Sequence, residues 1–261
     1  MNYDPKQTYL VIGPPRSAST AFSRVFWNNP KIRYYVHEPY EATYYQSLDN
    51  TEHAVAALAD PVDLSAVAGT PSGDGVLVKE MSFQVSDNLD ELLGYTTNPV
   101  VFLIRDPRLT ISSRRRVKEA QQQPLDFPLV ETGWEDLVRQ IDHCRAHGVD
   151  YLITDSADFR AEPELVFRRI FAAWGLDFDV SQLTWEPQPD MALSNHRTVG
   201  VDHFFTRVLN SKQLEPPVEQ PGAVEDFPET NGLRAHVEWA MARYRELRAD
   251  PSFIDITSEV G

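Results

Sequence analysis

Cysteine is nearly absent. Cys144 is the only one in 261 residues, which excludes an intrachain disulfide and favours a reducing compartment. Long apolar runs are missing too: none approaches the ~20 residues that cross a bilayer. The opening residues carry Asp4, Pro5 and Lys6 where a secretory leader would be apolar. The expectation is a soluble, cytoplasmic protein. Basic residues are scarce, 24 Lys and Arg against 39 Asp and Glu. The resulting charge of −15 argues against nucleic acid or an anionic membrane as a partner. Any anion must be held by a local basic cluster. His143 and His147 stand four residues apart without an HExxH frame, and no metal site is expected.

The most informative stretch is VIGPPRSASTAFSR, residues 11–24. Tyr9 to Ile12 reads as a buried strand, Gly13-Pro14-Pro15 as a turn, and the residues from Thr20 to Trp27 as a helix stopped by Pro30. A strand feeding a helix N-terminus aims unpaired N–H groups and the positive end of the helix dipole at one point, which suits an anion. Arg16, Ser17, Ser19 and Thr20 add side-chain donors there. Laid over GxxxxGK[ST], the stretch puts Gly13 first, Ala18 sixth, Ser19 seventh and Thr20 eighth. The lysine that reaches the β- and γ-phosphates is missing, so the loop suits phosphate or sulfate but is poorly built to split a triphosphate.

The rest of the chain alternates strands with helices, which implies a parallel sheet. Ile32 to Val36 reads as a strand delivering His37, Glu38 and Glu41 to the edge where ligands of such sheets sit. Residues 42–60 read as a helix with Tyr44, Leu48, Val55 and Leu58 inward. After the flexible Gly69 to Gly75, Val76 to Lys79 reads as a strand with Lys79 at its end. A helical stretch lies around Asp87 to Leu93. Pro99 to Ile104 is a continuous apolar strand running into Arg105-Asp106-Pro107-Arg108 and a helix from Leu109 to Ala120. On that helix Arg114, Arg115 and Arg116 are expected on a solvated face, and helical spacing returns from Trp134 to His147. Tyr151 to Thr154 reads as a strand and Pro163 to Trp174 as a helix. Beyond Asp177 prolines dominate, with a mobile segment expected over Pro216 to Asn231. A last helix over Gly232 to Arg248 carries Val237, Met241, Tyr244 and Leu247 as its stripe.

Arg105 and Ser113 lie eight residues apart, the arginine on a turn and the serine about two turns into the following helix. PRSAST followed by RDPRLTISS after a central apolar strand is similar to the paired signatures of sulfotransferases that use 3′-phosphoadenosine 5′-phosphosulfate (PAPS). The resemblance implies a three-layer α/β fold with a central parallel sheet, like that of P-loop NTPases, in one domain over residues 1–261 with its nucleotide-binding core at 7–175. It also implies that Arg16, Ser17, Ala18, Ser19 and Thr20 hold the 5′-phosphosulfate, and that Arg105 and Ser113 hold the 3′-phosphate. Arg16 ahead of the first serine resembles tyrosylprotein and many bacterial carbohydrate members, where cytosolic aryl members carry lysine.

LVKEM resembles the strand end at which cytosolic members place a histidine base two residues after a lysine, but Met81 stands there and cannot accept a proton. The Arg16 branch uses a glutamate after the second strand, which implies Glu38 as general base, with His37 or Glu41 as substitutes. Lys79 matches the lysine that steadies the leaving phosphate. In the late segment that closes over the nucleotide, Arg197, Ser211 and Lys212 are the candidates, and the family's RKG version is absent. Asp155-Ser156 stands where some members have a tyrosine. The expected acceptor is a small molecule with a hydroxyl, or less readily an amine, near Tyr40, Tyr44 and Phe83. Two other readings stay open: a P-loop kinase-like phosphotransferase, and a nucleotide-binding protein without transfer.

Overall fold

The computed structural model describes residues 4–46, 51–68, 72–195 and 205–257. Its strands are β1 (Thr8–Gly13), β2 (Ile32–His37), β3 (Val62–Asp63), β4 (Gly75–Met81), β5 (Val100–Ile104) and β6 (Tyr151–Asp155). The helices are α1 (Ser19–Trp27), α2 (Glu41–Tyr45), α3 (Glu52–Ala59), α4 (Ser65–Ala68), α5 (Ser82–Val85), α6 (Leu89–Leu93) and α7 (Pro107–Ala120), then α8 (Trp134–His147), α9 (Ser156–Ala161), α10 (Pro163–Ala173), α11 (Thr206–Leu209) and α12 (Leu233–Arg248). The strands form one sheet in the order β3-β2-β4-β1-β5-β6. Every pairing is parallel except β2 with the short edge strand β3.

The central strands are apolar throughout because helices cover both sheet faces. Side chains alternate across a strand, so Tyr9 and Val11 join one core while Leu10 and Ile12 join the other. The first core is rich in aromatics from α1 and α10. Phe26 stacks on Phe171 with ring centroids 4.8 Å apart, and Phe22 meets Phe167 at 4.9 Å. The second core packs Trp134, Leu137 and Ile141 of α8 against Leu10, Ile12 and Phe102. The result is the three-layer α/β architecture read from the sequence.

Several elements differ from the reading. The helix expected over 42–60 is two helices, α2 and α3. Val55 points outward at 44% exposure, while Ala54, Ala57 and Leu58 are buried. Two alanines thus form most of the packing face, which a search for large apolar residues misses. Leu48 and residues 69–71 lie outside the described residues. Helices α5 and α9 are too short for a periodicity; α9 is nucleated by Asp155, whose side chain accepts from the Ala157 N–H at 2.7 Å. The proline-rich C-terminal part is fastened to the core. Val237, Met241 and Leu247 of α12 are buried, and Ile153 exchanges backbone hydrogen bonds with Ser252 and Ile254. No helix among the described residues is long and apolar enough to cross a membrane.

Candidate active site

Register brings the candidate residues to one edge. Gly13 ends β1 opposite Met81, and Lys79 lies opposite both Val11 and His37. The segments after β2, β4, β1 and β5 therefore leave the sheet along one edge, in that order. Lys79 sits two residues inside β4, not at its end as expected, and its side chain is fully buried.

The turn after β1 is tight on all sides. A Cβ on Gly13 would lie 3.0 Å from both Leu103 Cβ and Ser17 Oγ, so a side chain there would push the loop and β5 apart by a few tenths of an ångström. Arg16 and Ala18 take left-handed backbone, with φ of 65° and 63°. Such alternation turns successive N–H groups inward into a concave anion nest ahead of α1. Ser17, Ser19 and Thr20 are buried there. The Ser17 hydroxyl is buried without a hydrogen-bond partner among the described residues.

The second junction closes on the first. Arg16 Nε donates to Ser113 Oγ at 3.1 Å, and Arg105 Nη1 donates to the Arg16 carbonyl at 2.7 Å. Residues nearly ninety or more positions apart thus form one cluster, and Arg105 Nε is buried there without a hydrogen-bond partner among the described residues. Burial, and then the charges of Arg105, Arg114 and Arg116, push the Arg16 pKa down. Like charges gathered at a buried edge favour an anion between them. Of the three consecutive arginines read as a solvated face, Arg114 is instead largely buried, ion-paired with Glu131 and set over the Phe127 ring.

Beside this cradle lies a charged cluster built around Glu38. Lys79 Nζ donates to Glu38 Oε1 at 2.5 Å, Gln84 Nε2 donates to Oε2 at 3.3 Å, and His37 Nε2 lies 3.2 Å from Oε1. Tyr35 OH in turn meets His37 Nδ1 at 2.6 Å. Burial would raise the Glu38 carboxyl, but the charges and hydrogen bonds of Lys79 and His37 outweigh it and hold the group well below its ordinary value. Glu38 is therefore ionised at neutral pH. Its φ of +50° is uncommon for a residue with a side chain, and costs about 1–3 kcal/mol. The conformation is held by Glu38 N–H to the Lys79 carbonyl at 2.8 Å and by Tyr40 N–H to Glu80 Oε2 at 2.8 Å. Three of the six non-glycine residues with positive φ among those described, Arg16, Ala18 and Glu38, belong to this edge.

Sequence reasoning missed Glu80, Gln84, Arg160 and Glu219. Glu80 is fully buried, accepting from Tyr40 and Met81 N–H, and burial together with the Glu38 charge pushes it up to about 8. A lone acidic residue in LVKEM was its only signal. Among the substitutes named for the base, His37 joins the cluster, while Glu41 opens α2. Tyr40 and Phe83 are core residues. Tyr44 and the exposed Tyr45 pack on Phe83 at 4.8 and 6.3 Å. Lys212 is exposed, and its carbonyl accepts from Trp185 N–H. Ser211 accepts from the Trp185 ring N–H. Arg197 lies outside the described residues. Asp155 accepts from Tyr244 OH at 2.5 Å and pairs with Arg248, joining α12 to the end of β6.

The family model described as a sulfotransferase domain matches residues 8–225. No curated protein sequence matches the chain. Three solved structures share its fold at low identity. The sulfotransferase domain from the Synechococcus PCC 7002 olefin synthase is 18% identical with a TM-score of 0.54, covering 93% of this chain and 96% of that one. The sulfotransferase domain from the curacin biosynthetic pathway is 13% identical with a TM-score of 0.50, covering 93% and 98%. Mouse sulfotransferase SULT7A1, solved complexed with PAP, is 11% identical with a TM-score of 0.53, covering 95% and 89%.

Proposed function

Because this chain belongs to the sulfotransferase domain family, we propose that it transfers the sulfuryl group of PAPS to a hydroxyl of a small-molecule acceptor, with Glu38 as general base. The observation that carries this reading is the union of the two junctions, Arg16 with Ser113 and Arg105 with the Arg16 carbonyl. It joins the donors of the two junctions into one extended cradle. The buried, unpartnered Ser17 Oγ and Arg105 Nε supply donors that fit the donor's phosphosulfate and 3′-phosphate. Arg16 in the loop and Met81 after Lys79 support the branch whose base is a glutamate.

PAPS supplies an activated sulfuryl group on a good leaving phosphate. The arginines and the loop hold it in line with the acceptor, since transfer of so charged a group depends on positioning and neutralisation. As the acceptor oxygen bonds to sulfur and the bridging S–O bond breaks, Glu38 takes the acceptor proton and the leaving phosphate keeps the electron pair. Lys79 serves both ends. Bound to Glu38 it keeps the carboxylate ionised; drawn towards the leaving oxygen it offsets the charge growing there. Loosening the Lys79 contact raises the proton affinity of Glu38 at the moment a proton becomes available.

The test is mass spectrometry of a metabolite extract incubated with PAPS and the purified protein. A sulfated product should form with wild type. Glu38→Gln should slow its formation by roughly 10²–10⁴-fold while still binding adenosine 3′,5′-bisphosphate. Undiminished turnover in that variant would remove Glu38 as the base.

A further inference from the structure

Arg105 has a second partner besides the phosphate loop. Its Nη2 lies 3.3 Å from Glu219 Oε1, and the other oxygen of the same carboxylate lies 3.3 Å from Arg160 Nη1. Both guanidinium side chains are 9% exposed and Glu219 31%. Two arginines on different elements, the turn after β5 and helix α9, thus converge on one anionic group. Burial and the Arg160 charge depress Arg105, while Glu219 opposes this; a site of this kind is uncomfortable without a counter-anion.

Glu219 reaches the arginines from a strap. Arg160 Nε donates to the Glu215 carbonyl at 2.7 Å and Nη2 to the Pro216 carbonyl at 2.9 Å, while Arg108 Nη1 donates to the Gly222 carbonyl at 3.3 Å. The strap is tied at both ends and stiffened by Pro216, Pro217 and Pro221. Its middle is exposed: Val218 is 72% accessible. The ties are to backbone carbonyls, so the Glu219 side chain can leave the arginines without unfastening the loop. Its two contacts are longer than the ~2.7–2.9 Å of a strong charge-assisted hydrogen bond. A phosphate monoester brings about −1.5 to −2 charge and three oxygens where a carboxylate brings one charge and two oxygens, and it should displace the weaker anion.

We propose that Glu219 is a built-in competitor for the nucleotide's 3′-phosphate, held in its place between Arg105 and Arg160, and that Arg160 is the second guanidinium of that phosphate site. The inference rests on the PAPS reading above. It makes the Glu219 side chain a gate that discriminates while the strap stays tied: a nucleotide with a 3′-phosphate displaces the carboxylate, and one without has no means to.

Calorimetric titration of adenosine 3′,5′-bisphosphate and of AMP into wild type, Glu219→Gln and Glu219→Ala separates the possibilities. If the carboxylate blocks the site most of the time, removing it tightens the bisphosphate by roughly tenfold and leaves AMP unchanged. Adding Arg160→Ala to Glu219→Gln should then weaken the bisphosphate by at least as much, again without affecting AMP. Unchanged or weaker bisphosphate binding in both Glu219 variants would overturn the competitor. Equal loss of both nucleotides on replacing Arg160 would overturn its 3′-phosphate role. A wild type that binds the bisphosphate no better than AMP, with both Glu219 variants behaving likewise, would sink the nucleotide reading and the gate together.

Discussion

Glu38 and Glu80 show how two carboxyls on adjacent strand ends are driven apart by their surroundings. Glu38 gains Lys79 and His37 and stays ionised, whereas burial first, then the neighbouring Glu38 charge, pushes Glu80 up to about 8 despite its two backbone donors. A glutamate in the unfolded chain titrates near 4.5. Between 4.5 and about 8 the native chain therefore holds a proton that the unfolded chain has lost, and stability falls as pH rises through that window. The full slope is about 1.4 kcal/mol per pH unit. Glu80→Gln removes this titration, so its melting temperature should decline less steeply than that of wild type from about pH 5 to pH 8. Parallel melting curves would show that Glu80 is ionised throughout. At this scale the motif residues Arg16, Ser17, Arg105 and Ser113 were legible because their chemistry is written locally. Glu80, Arg160 and Glu219 were not, because each acquires its meaning from a partner brought by folding: a backbone N–H 40 residues away for Glu80, the Glu219 carboxylate for Arg160, and the Arg105 and Arg160 guanidinium groups for Glu219.

Elements with their own periodicity could be read closely. Helix α8 runs from Trp134 to His147 as its spacing implies, with Gly148 in left-handed backbone at its end. Short helices such as α2, α5 and α9 could not be read, since a single turn carries no period and forms by packing against its neighbours. The start of α8 also supports the phosphate loop. Gly133 has φ of +76°, and a Cβ there would stand 2.6 Å from Ser82 Oγ, 2.9 Å from Pro15 Cδ and 3.1 Å from Pro14 Cα. Gly133→Ala should destabilise by about 1–3 kcal/mol and displace the loop, weakening adenosine 3′,5′-bisphosphate binding. Gly148→Ala is the control, with similar φ of +67° but nothing within 4 Å of the new methyl. Thermal melting should register both substitutions and nucleotide titration only the first; equal binding in the two variants would separate Gly133 from the loop.

Over the whole molecule the balance of charge and the position of the arginines answer each other. A chain of net charge −15 repels anions at long range, yet the charges of Arg105, Arg114 and Arg116 all act on Arg16 beside the sheet. Apolar strands and the βα alternation made the parallel sheet legible. The convergence of the two junctions follows from β5 pairing directly with β1, and no local pattern states that pairing. This geometry predicts a nucleotide bearing phosphates at both ends, gripped without the lysine that triphosphate enzymes place on the β- and γ-phosphates. The most direct measurement is calorimetric titration of the purified protein with adenosine 3′,5′-bisphosphate and with ATP at one ionic strength. Tighter binding of the bisphosphate is the predicted result; equal affinity, or a preference for ATP, would contradict the account.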